Sequence, residues 1–397
     1  MTYPLFMDEF LSICRQTSQV LSNLSPKEAA LRFLRKNPPL QEQVRKIERQ
    51  LHMAKEIYRP FHTLPSPGVA MKAVAWNIER GKHLNAVIQT LKNHPALKEA
   101  DLYFLTEVDW GMARSGNRNV AAEIGEALGL YCYFAPSYYN LTKGHGSERH
   151  LAGKNAEGLH GKALLSRFPL SNLQVVKLPN ATDKLRSQEA RLGEKRALMG
   201  SLKIGTETLS LVCTHFDAFS SPETRAAQLK PVLNLCASTS HALIAGDWNT
   251  NTLNTTNGLM LTFSVLKQIL LTGPQKMIRE HHPFPERRFE KPLFDLLRRE
   301  GFDFERCNEP GVGTYDLVSN DEDLGRMARD QFPQWILEWI NRQVEKAGGH
   351  ISLKLDWFAA KNLKCGKNRV IRLKTGEDYD PKERPSDHHP IVLEFRV

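Results

Sequence analysis

Cysteine is scarce in this chain: six in 397 residues. Cys14, Cys132, Cys213, Cys236, Cys307 and Cys365 show no C-x-x-C spacing, which argues against a zinc site and against a small disulfide-stapled scaffold. A reducing cytoplasm is therefore the default expectation. No run comes near the roughly 20 apolar residues that a membrane span needs. The opening Met1-Thr2-Tyr3-Pro4 lacks a basic stretch followed by an apolar one, so no secretory signal is expected. There is also no internal repeat and no low-complexity tract.

What is present is ordinary for a soluble domain: 41% hydrophobic and 25% charged residues, in a length that suits one large domain or two smaller ones. The formal net charge is +10. Such a surface attracts polyanions, whether nucleic acid, anionic lipid headgroups or phosphorylated small molecules, but a basic soluble protein with none of these partners fits equally well.

Residues 1–68 read as a helical extension. Ser25-Pro26-Lys27-Glu28 is a helix start, with a capping serine, a first-turn proline and a capping-box glutamate. A second helix follows Pro38-Pro39, with Leu40, Val44, Ile47, Leu51 and Ala54 on one apolar face. Leu64-Pro65-Ser66-Pro67-Gly68 marks the junction to a domain spanning residues 69–397. There the texture changes to short apolar strands ending in polar groups: residues 72–76 before Asn77, 102–105 before Glu107, 209–213 before His215, 242–245 before Asp247 and 351–355 before Asp356. A last strand over 390–395 follows Asp387-His388. Strands this apolar suit sheets covered on both faces, and the intervening stretches 84–92 and 121–128 read as helices. The expectation is a layered α/β domain with two packed sheets and helices outside.

Strand ends at one rim of a sheet lie close in space, so acidic, amide and imidazole groups placed there converge. Hydrolysis of a phosphate ester requires a cation at the phosphoryl oxygens, a base for water and donors to the developing charge. Hard Mg²⁺ needs only one or two carboxylates, which Glu107 with Asn77 nearby would satisfy. Taken singly, each of these residues is better explained as a solvated strand-end group.

Taken in order, they resemble the endonuclease/exonuclease/phosphatase superfamily. Trp76-Asn77-Ile78 resembles its first motif. Leu105-Thr106-Glu107-Val108-Asp109 resembles the second, with Thr106 where glutamine is more usual. The segment Gly161-Lys162-Ala163-Leu164-Leu165-Ser166-Arg167-Phe168-Pro169, then Thr214-His215 with Arg225 and Gln228, and Gly246-Asp247-Trp248-Asn249 follow in the family's order. Leu355-Asp356-Trp357 and Ser386-Asp387-His388-His389-Pro390 complete the set.

The resemblance implies a four-layer, DNase I-like α/β sandwich and a metal-dependent phosphoesterase. It implies that Glu107 binds Mg²⁺ or Mn²⁺, with Asn77 and Asp387 close by. Asp247 would activate the attacking water, and Asn249 would orient it. His388 would stabilise phosphoryl charge, Asp356 would hold its ring, and His215 would be a second imidazole. Substrates of the lipid, inositol or nucleotide phosphate type fit this chemistry, with DNA or RNA as the alternative and an inactive binding protein as a remote one.

Weaker features surround these motifs. Arg114 on a loop reads either as a phosphate clamp or as a solvated arginine. Tyr138-Tyr139-Asn140 and residues 143–162 read as a mobile loop over the site, with His145, His150 and His160 solvated. Basic and aromatic residues in 251–291 suggest either a nucleic-acid contact or surface packing. Phe332, Trp335, Ile336, Trp339 and Ile340 lie on a helix after Pro333 and read as core, with peripheral lipid contact as the other reading. Oligomeric state is not legible.

Overall fold

In the computed structural model, which describes residues 37–60, 64–66, 68–182, 184, 189–251, 273, 276–318, 334–346, 348–373 and 384–397, the apolar runs become strands of two packed sheets. In chain order the strands are β1 (Lys55–Tyr58), β2 (Met71–Arg80), β3 (Leu102–Trp110), β4 (Tyr131–Asn140) and β5 (Leu159–Ser166). Next come β6 (Ser171–Lys177), β7 (Arg191–Gly193), β8 (Arg196–Ile204), β9 (Glu207–Cys213) and β10 (His241–Asp247). The last are β11 (Tyr315–Val318), β12 (His350–Leu353), β13 (Asp356–Lys361), β14 (Lys364–Val370) and β15 (Ile391–Arg396). The larger sheet has the order β1-β4-β5-β3-β2-β15-β14, with β7 added on β4; the second runs β13-β10-β9-β8-β6, and β11 and β12 form a small two-stranded sheet.

Alternation along each strand assigns the layers. In β2, Ala73 and Ala75 face the second sheet, where Phe104, Leu164, Leu211, Leu243 and Phe358 form the central core. Phe104 and Phe358 meet edge-on across it, ring centroids 6.3 Å apart. Val74, Trp76 and Ile78 face the other way, onto helices α1 (Pro38–Leu51), α2 (Leu84–Asn93) and α3 (Val120–Leu128). On the far side of the second sheet, Val212, Ile244 and Ala359 are covered by α4 (Pro222–Leu235) and α5 (Lys291–Arg299). The strands are apolar at nearly every position because both faces are covered. This is the expected helix–sheet–sheet–helix sandwich.

Residues 1–36 with the Ser25 helix start, most of 252–275, and Phe332 lie outside the described residues. In α1, Asn37 caps the helix by accepting from the Leu40 amide at 3.3 Å, and Leu40, Ile47 and Leu51 are buried against the large sheet. Residues 55–58 correct the helical reading: they form β1, antiparallel to β4. Hydrogen bonding to an open sheet edge outweighs local preference there. Trp335, on the helix α6 (Gln334–Lys346), is 47% exposed and is not core.

Arg225 and Gln228, part of the motif set, prove to be supports on α4. Arg225 and Glu290 are both fully buried, with Arg225 Nε donating to Glu290 Oε1 at 3.0 Å and Nη1 to Ser220 Oγ at 2.9 Å. Gln228 accepts from the Asp217 amide at 3.0 Å and donates to its carboxylate at 2.9 Å, fixing the loop just after His215. Removing one member of a buried ion pair strands the other. Glu290→Ala should therefore lower stability by about 3–5 kcal/mol in urea unfolding, and a loss no larger than that of a surface substitution would contradict the buried pairing.

Candidate active site

The parallel pairs β2–β3 and β9–β10 place their C-terminal ends at one rim of the sandwich. Strands β13 and β15 run antiparallel to β10 and β2, so their beginnings reach the same rim. Seven of the nine singled-out residues sit there on this topology alone: Asn77, Glu107, His215, Asp247, Asp356, Asp387 and His388. Asn249 follows from the turn after β10.

Asp247 is the hub. Its buried carboxylate accepts from Asn77 Nδ2 at 2.9 Å and from Asn249 Nδ2 at 3.2 Å, through Oδ2, and from the Asn249 amide at 2.9 Å through Oδ1. His215 Nε2 lies 3.5 Å and His388 Nε2 4.0 Å from the same Oδ2. Two local devices make this convergence. Gly246 takes a φ of +136°, and a Cβ there would sit 2.0 Å from the Thr214 carbonyl oxygen, so only glycine lets β10 close onto the end of β9. Asn249 sits at φ +50°, a conformation asparagine tolerates, and its side chain turns back to Asp247 and to the Phe216 carbonyl. Trp248 and Trp357, each next to a site aspartate, point the opposite way and stack in the outer core at 6.2 Å.

Asp356 is paired directly with Asp247 across β10 and β13. Its Oδ2 receives His388 Nδ1 at 2.8 Å and Thr314 Oγ1 at 2.7 Å. The sequence reading ends a strand at Asp356; instead the chain breaks after Leu353, and Asp356 begins β13. Ser386 serves as a turn residue: its hydroxyl donates to the Asn77 carbonyl at 2.6 Å and accepts from the His388 amide at 3.1 Å. His389 points away and meets Asp316 Oδ2 at 2.9 Å.

Glu107 is the extra residue of a bulge. The β3–β5 register jumps between Thr106 and Val108, and Glu107 takes a φ of +52°. A bulge next to a site re-aims a side chain that alternation would otherwise direct elsewhere. A second irregularity, in β2 after Asn77, puts Glu79 and Arg80 at φ +46° and +66°. Arg80 Nε then stands 3.6 Å from Glu107 Oε2.

Arg114 does not act as a surface clamp. Its side chain is buried, with Nε and Nη2 on Asp109 at 2.7 and 3.0 Å and Nη1 on Glu189 at 2.7 Å. The guanidinium is committed to internal carboxylates. The loop reading of the neighbouring segment is corrected at its ends, while residues 141–158 between them stay irregular and His150 is exposed. Tyr138, Tyr139 and Asn140 belong to β4, and buried His160 on β5 pairs with Asp109 at 2.7 Å. His145 reaches Glu189 at 2.7 Å. Sequence reasoning missed Glu79, Arg80, Glu148, Glu189 and Lys195. The polar pair right after Trp76-Asn77-Ile78 was the available signal for Glu79 and Arg80; the others come from distant loops and strands.

The electrostatics separate the two imidazoles. Burial opposes charge on His388, but Asp356, by charge and hydrogen bond, and then Asp247 and Asp387, raise it well above the ordinary histidine value. Burial and then the Lys195 and Lys162 cations drive His215 well below it, leaving a neutral ring at pH 7. Burial followed by the charge of Asp356 pushes Asp247 up to about 7. Burial raises Glu107, but Arg80 and then His160, Lys195 and His388 hold it at about 2. Burial, then Glu79, with Glu107 beyond His388's opposing charge, pushes Asp387 up to about 6.

These groups fit a divalent cation. Asp247, Asp356 and His388 offer ligand atoms all within 4.8 Å of one another, and Asp356 Oδ1 is buried with no hydrogen-bond partner among the described residues. Glu79, Glu107 and Asp387 add a crowd of negative charge beside them, which a hard cation would neutralise. The set is oxygen and nitrogen without thiolate, as Mg²⁺ or Mn²⁺ prefers.

A family model described as "Endonuclease/Exonuclease/phosphatase family" matches residues 74–388. An endonuclease/exonuclease/phosphatase from Beutenbergia cavernae is similar at 16% identity, covering 83% of this chain and 72% of that one with a TM-score of 0.46. A Leptotrichia buccalis protein of that family is 13% identical, with 82% and 100% coverage and a TM-score of 0.47. The 3'-5' exonuclease of Neisseria meningitidis is 14% identical, with 82% and 100% coverage and a TM-score of 0.45. No curated protein matches the sequence. With the family model spanning most of its length and the acidic and imidazole groups gathered at one rim, the chain belongs to the endonuclease/exonuclease/phosphatase family, whose hydrolytic chemistry on phosphate esters is metal-dependent.

Proposed function

We propose that this protein hydrolyses a discrete phosphate ester, a phosphodiester or phosphomonoester of the lipid, inositol or nucleotide type, by direct attack of water at phosphorus. The observation that carries this reading is the single carboxylate oxygen of Asp247 on which two amides and two imidazoles converge within 4.0 Å. Asp247 accepts the proton of the attacking water. Asn77 and Asn249 hold the carboxylate in place, and Asn249 donates to the phosphoryl group, without adding charge, by giving up its contact with the Phe216 carbonyl. His388, kept cationic by Asp356, stabilises the negative charge that develops on the phosphoryl oxygens. His215 is neutral and supplies a second polar contact.

Glu107, with Asn77 and Asp387, would hold the cation, which when bound supplies charge neutralisation at the phosphoryl oxygens. Glu107 is favoured over the Asp247–Asp356–His388 set because Asp356 Oδ2 and His388 Nδ1 already engage each other at 2.8 Å and Asp247 Oδ2 is held by two amides.

A panel of phosphate monoesters, diesters and single- and double-stranded polynucleotides, each with Mg²⁺, Mn²⁺ or excess EDTA, tests this. Turnover should appear on a small ester and vanish in EDTA. Glu107→Gln should raise the metal concentration for half-maximal rate by about tenfold or more. Full activity in EDTA would overturn the metal assignment, and turnover confined to polynucleotides would make the enzyme a nuclease.

A further inference from the structure

Cys307 and Cys365 lie 58 residues apart in sequence, yet their sulfur atoms are 2.9 Å apart. That is closer than two sulfurs approach without sharing a hydrogen or a bond. Cys307 sits on the segment after α5, which lies along β13: Asp303 bridges Ala360, and Asn308 bonds both the amide and the carbonyl of Phe358 at 2.9 and 2.7 Å. Cys365 is on β14, the edge strand of the large sheet, opposite Phe395 and next to an irregularity in the register. Asn368 Nδ2 donates to the Arg306 carbonyl at 2.8 Å, and the Val370 amide donates to Glu309 Oε2 at 2.8 Å, so side-chain bonds to the backbone already hold β14 against the segment that carries Cys307.

We propose that Cys307 and Cys365 are a redox modification site: a dithiol that closes to a disulfide and staples the edge of one sheet to the other. The surroundings also assign the order of events. Cys307 is fully buried, whereas Cys365 is partly exposed. The contact with Cys307 lowers the Cys365 thiol below its ordinary value, while the same contact, with burial, raises Cys307. Cys365 is therefore the attacking sulfur. Its thiolate displaces one glutathione thiolate from glutathione disulfide, giving a mixed disulfide. The Cys307 sulfur then displaces the second glutathione, whose departing thiolate takes up the Cys307 proton. Two protein thiols are oxidised, one glutathione disulfide is reduced to two thiols, and no other reactant is needed.

The test uses the full chain equilibrated in glutathione buffers of increasing oxidised fraction. Remaining thiols are alkylated in denaturant, and peptides are mapped by mass spectrometry. Oxidation should remove two alkylation sites and join the Cys307 and Cys365 peptides, with a loss of two hydrogen atoms. The melting temperature should rise by about 5 °C, as closing a long loop in a preformed geometry implies, and return on reduction. Cys307→Ser should instead accumulate a single glutathione adduct on Cys365. Cys132, Cys213 and Cys236, all buried, should stay alkylatable only after unfolding. The proposal is overturned if both thiols remain alkylatable in the oxidised buffers, if cross-links form indiscriminately among the cysteines, or if wild type stops at the Cys365 adduct. None of these outcomes bears on the hydrolytic reading, because every readout is covalent or thermal.

Discussion

Asp247→Asn is expected to lower kcat about a thousandfold, with KM changed little, because it removes the proton acceptor while keeping the shape of the site. The amide oxygen can still accept from Asn77 and Asn249 Nδ2, but its NH2 then faces the Asn249 N–H, so the fold at the end of β10 should survive with a lowered melting temperature. Asn249→Ala removes a neutral donor and should cost about a hundredfold. The acid limb of the rate profile belongs to the same carboxyl. Only ionised Asp247 accepts a proton, so rate should rise with pH as it deprotonates. Its carboxyl is pushed up to about 7 by burial and then by Asp356. A bound cation favours the carboxylate, so saturating Mg²⁺ should move the limb to lower pH.

His388→Ala should be as severe as Asp247→Asn, about a thousandfold in kcat, since on the proposed mechanism it removes a positive charge next to Asp247 that stabilises the phosphoryl group. Asp356→Asn should be milder, within about a hundredfold, because the ring remains but loses the carboxylate that orients it and favours its charge. The pH profile separates the two roles. If His388 acts as a cation, as proposed, rate falls as it deprotonates, and in wild type that limb lies well above the ordinary histidine value. Losing the Asp356 charge lowers the imidazole pKa, so in Asp356→Asn the alkaline limb should shift toward neutrality. An unchanged limb in that variant would mean that His388 does not act as the cation.

The site was legible in the sequence where chemistry alternates with core. Asp247 precedes Trp248, and Asp356 precedes Trp357; in each pair one side chain enters the rim and the next anchors in the outer core. Strand-end position, with the order of the motifs, brought Asn77, Asp247, Asp356 and His388 together; Glu107 is aimed by its bulge, which alternation does not show. Arg114 was not legible, because its partners are Asp109, five residues back, and Glu189, 75 residues on. Nothing local distinguishes a buried arginine from a loop arginine when half its counter-charge comes from another segment. Tyr138 and His160 read as loop because polar and aromatic residues break the apolar run, yet β4 and β5 pair with each other through these positions. The break before Asp356 was hidden because Leu353, Lys354 and Leu355 continue the strand pattern, while Lys354 is drawn inward by the Glu309 carbonyl at 2.6 Å. The cysteine pair had no sequence signal at all, since it depends on the edges of two sheets meeting.

The most direct test of water attack in the Asp247 site is the stereochemical course at phosphorus. A phosphodiester substrate made chiral as a phosphorothioate would be hydrolysed in ¹⁸O-water with the metal ion saturating. A single in-line displacement by water predicts inversion at phosphorus, with one ¹⁸O in the product and no acid-stable phospho-enzyme. Retention of configuration, or an adduct trapped on Asp247 or on a serine, would show two displacements through the protein and contradict the account.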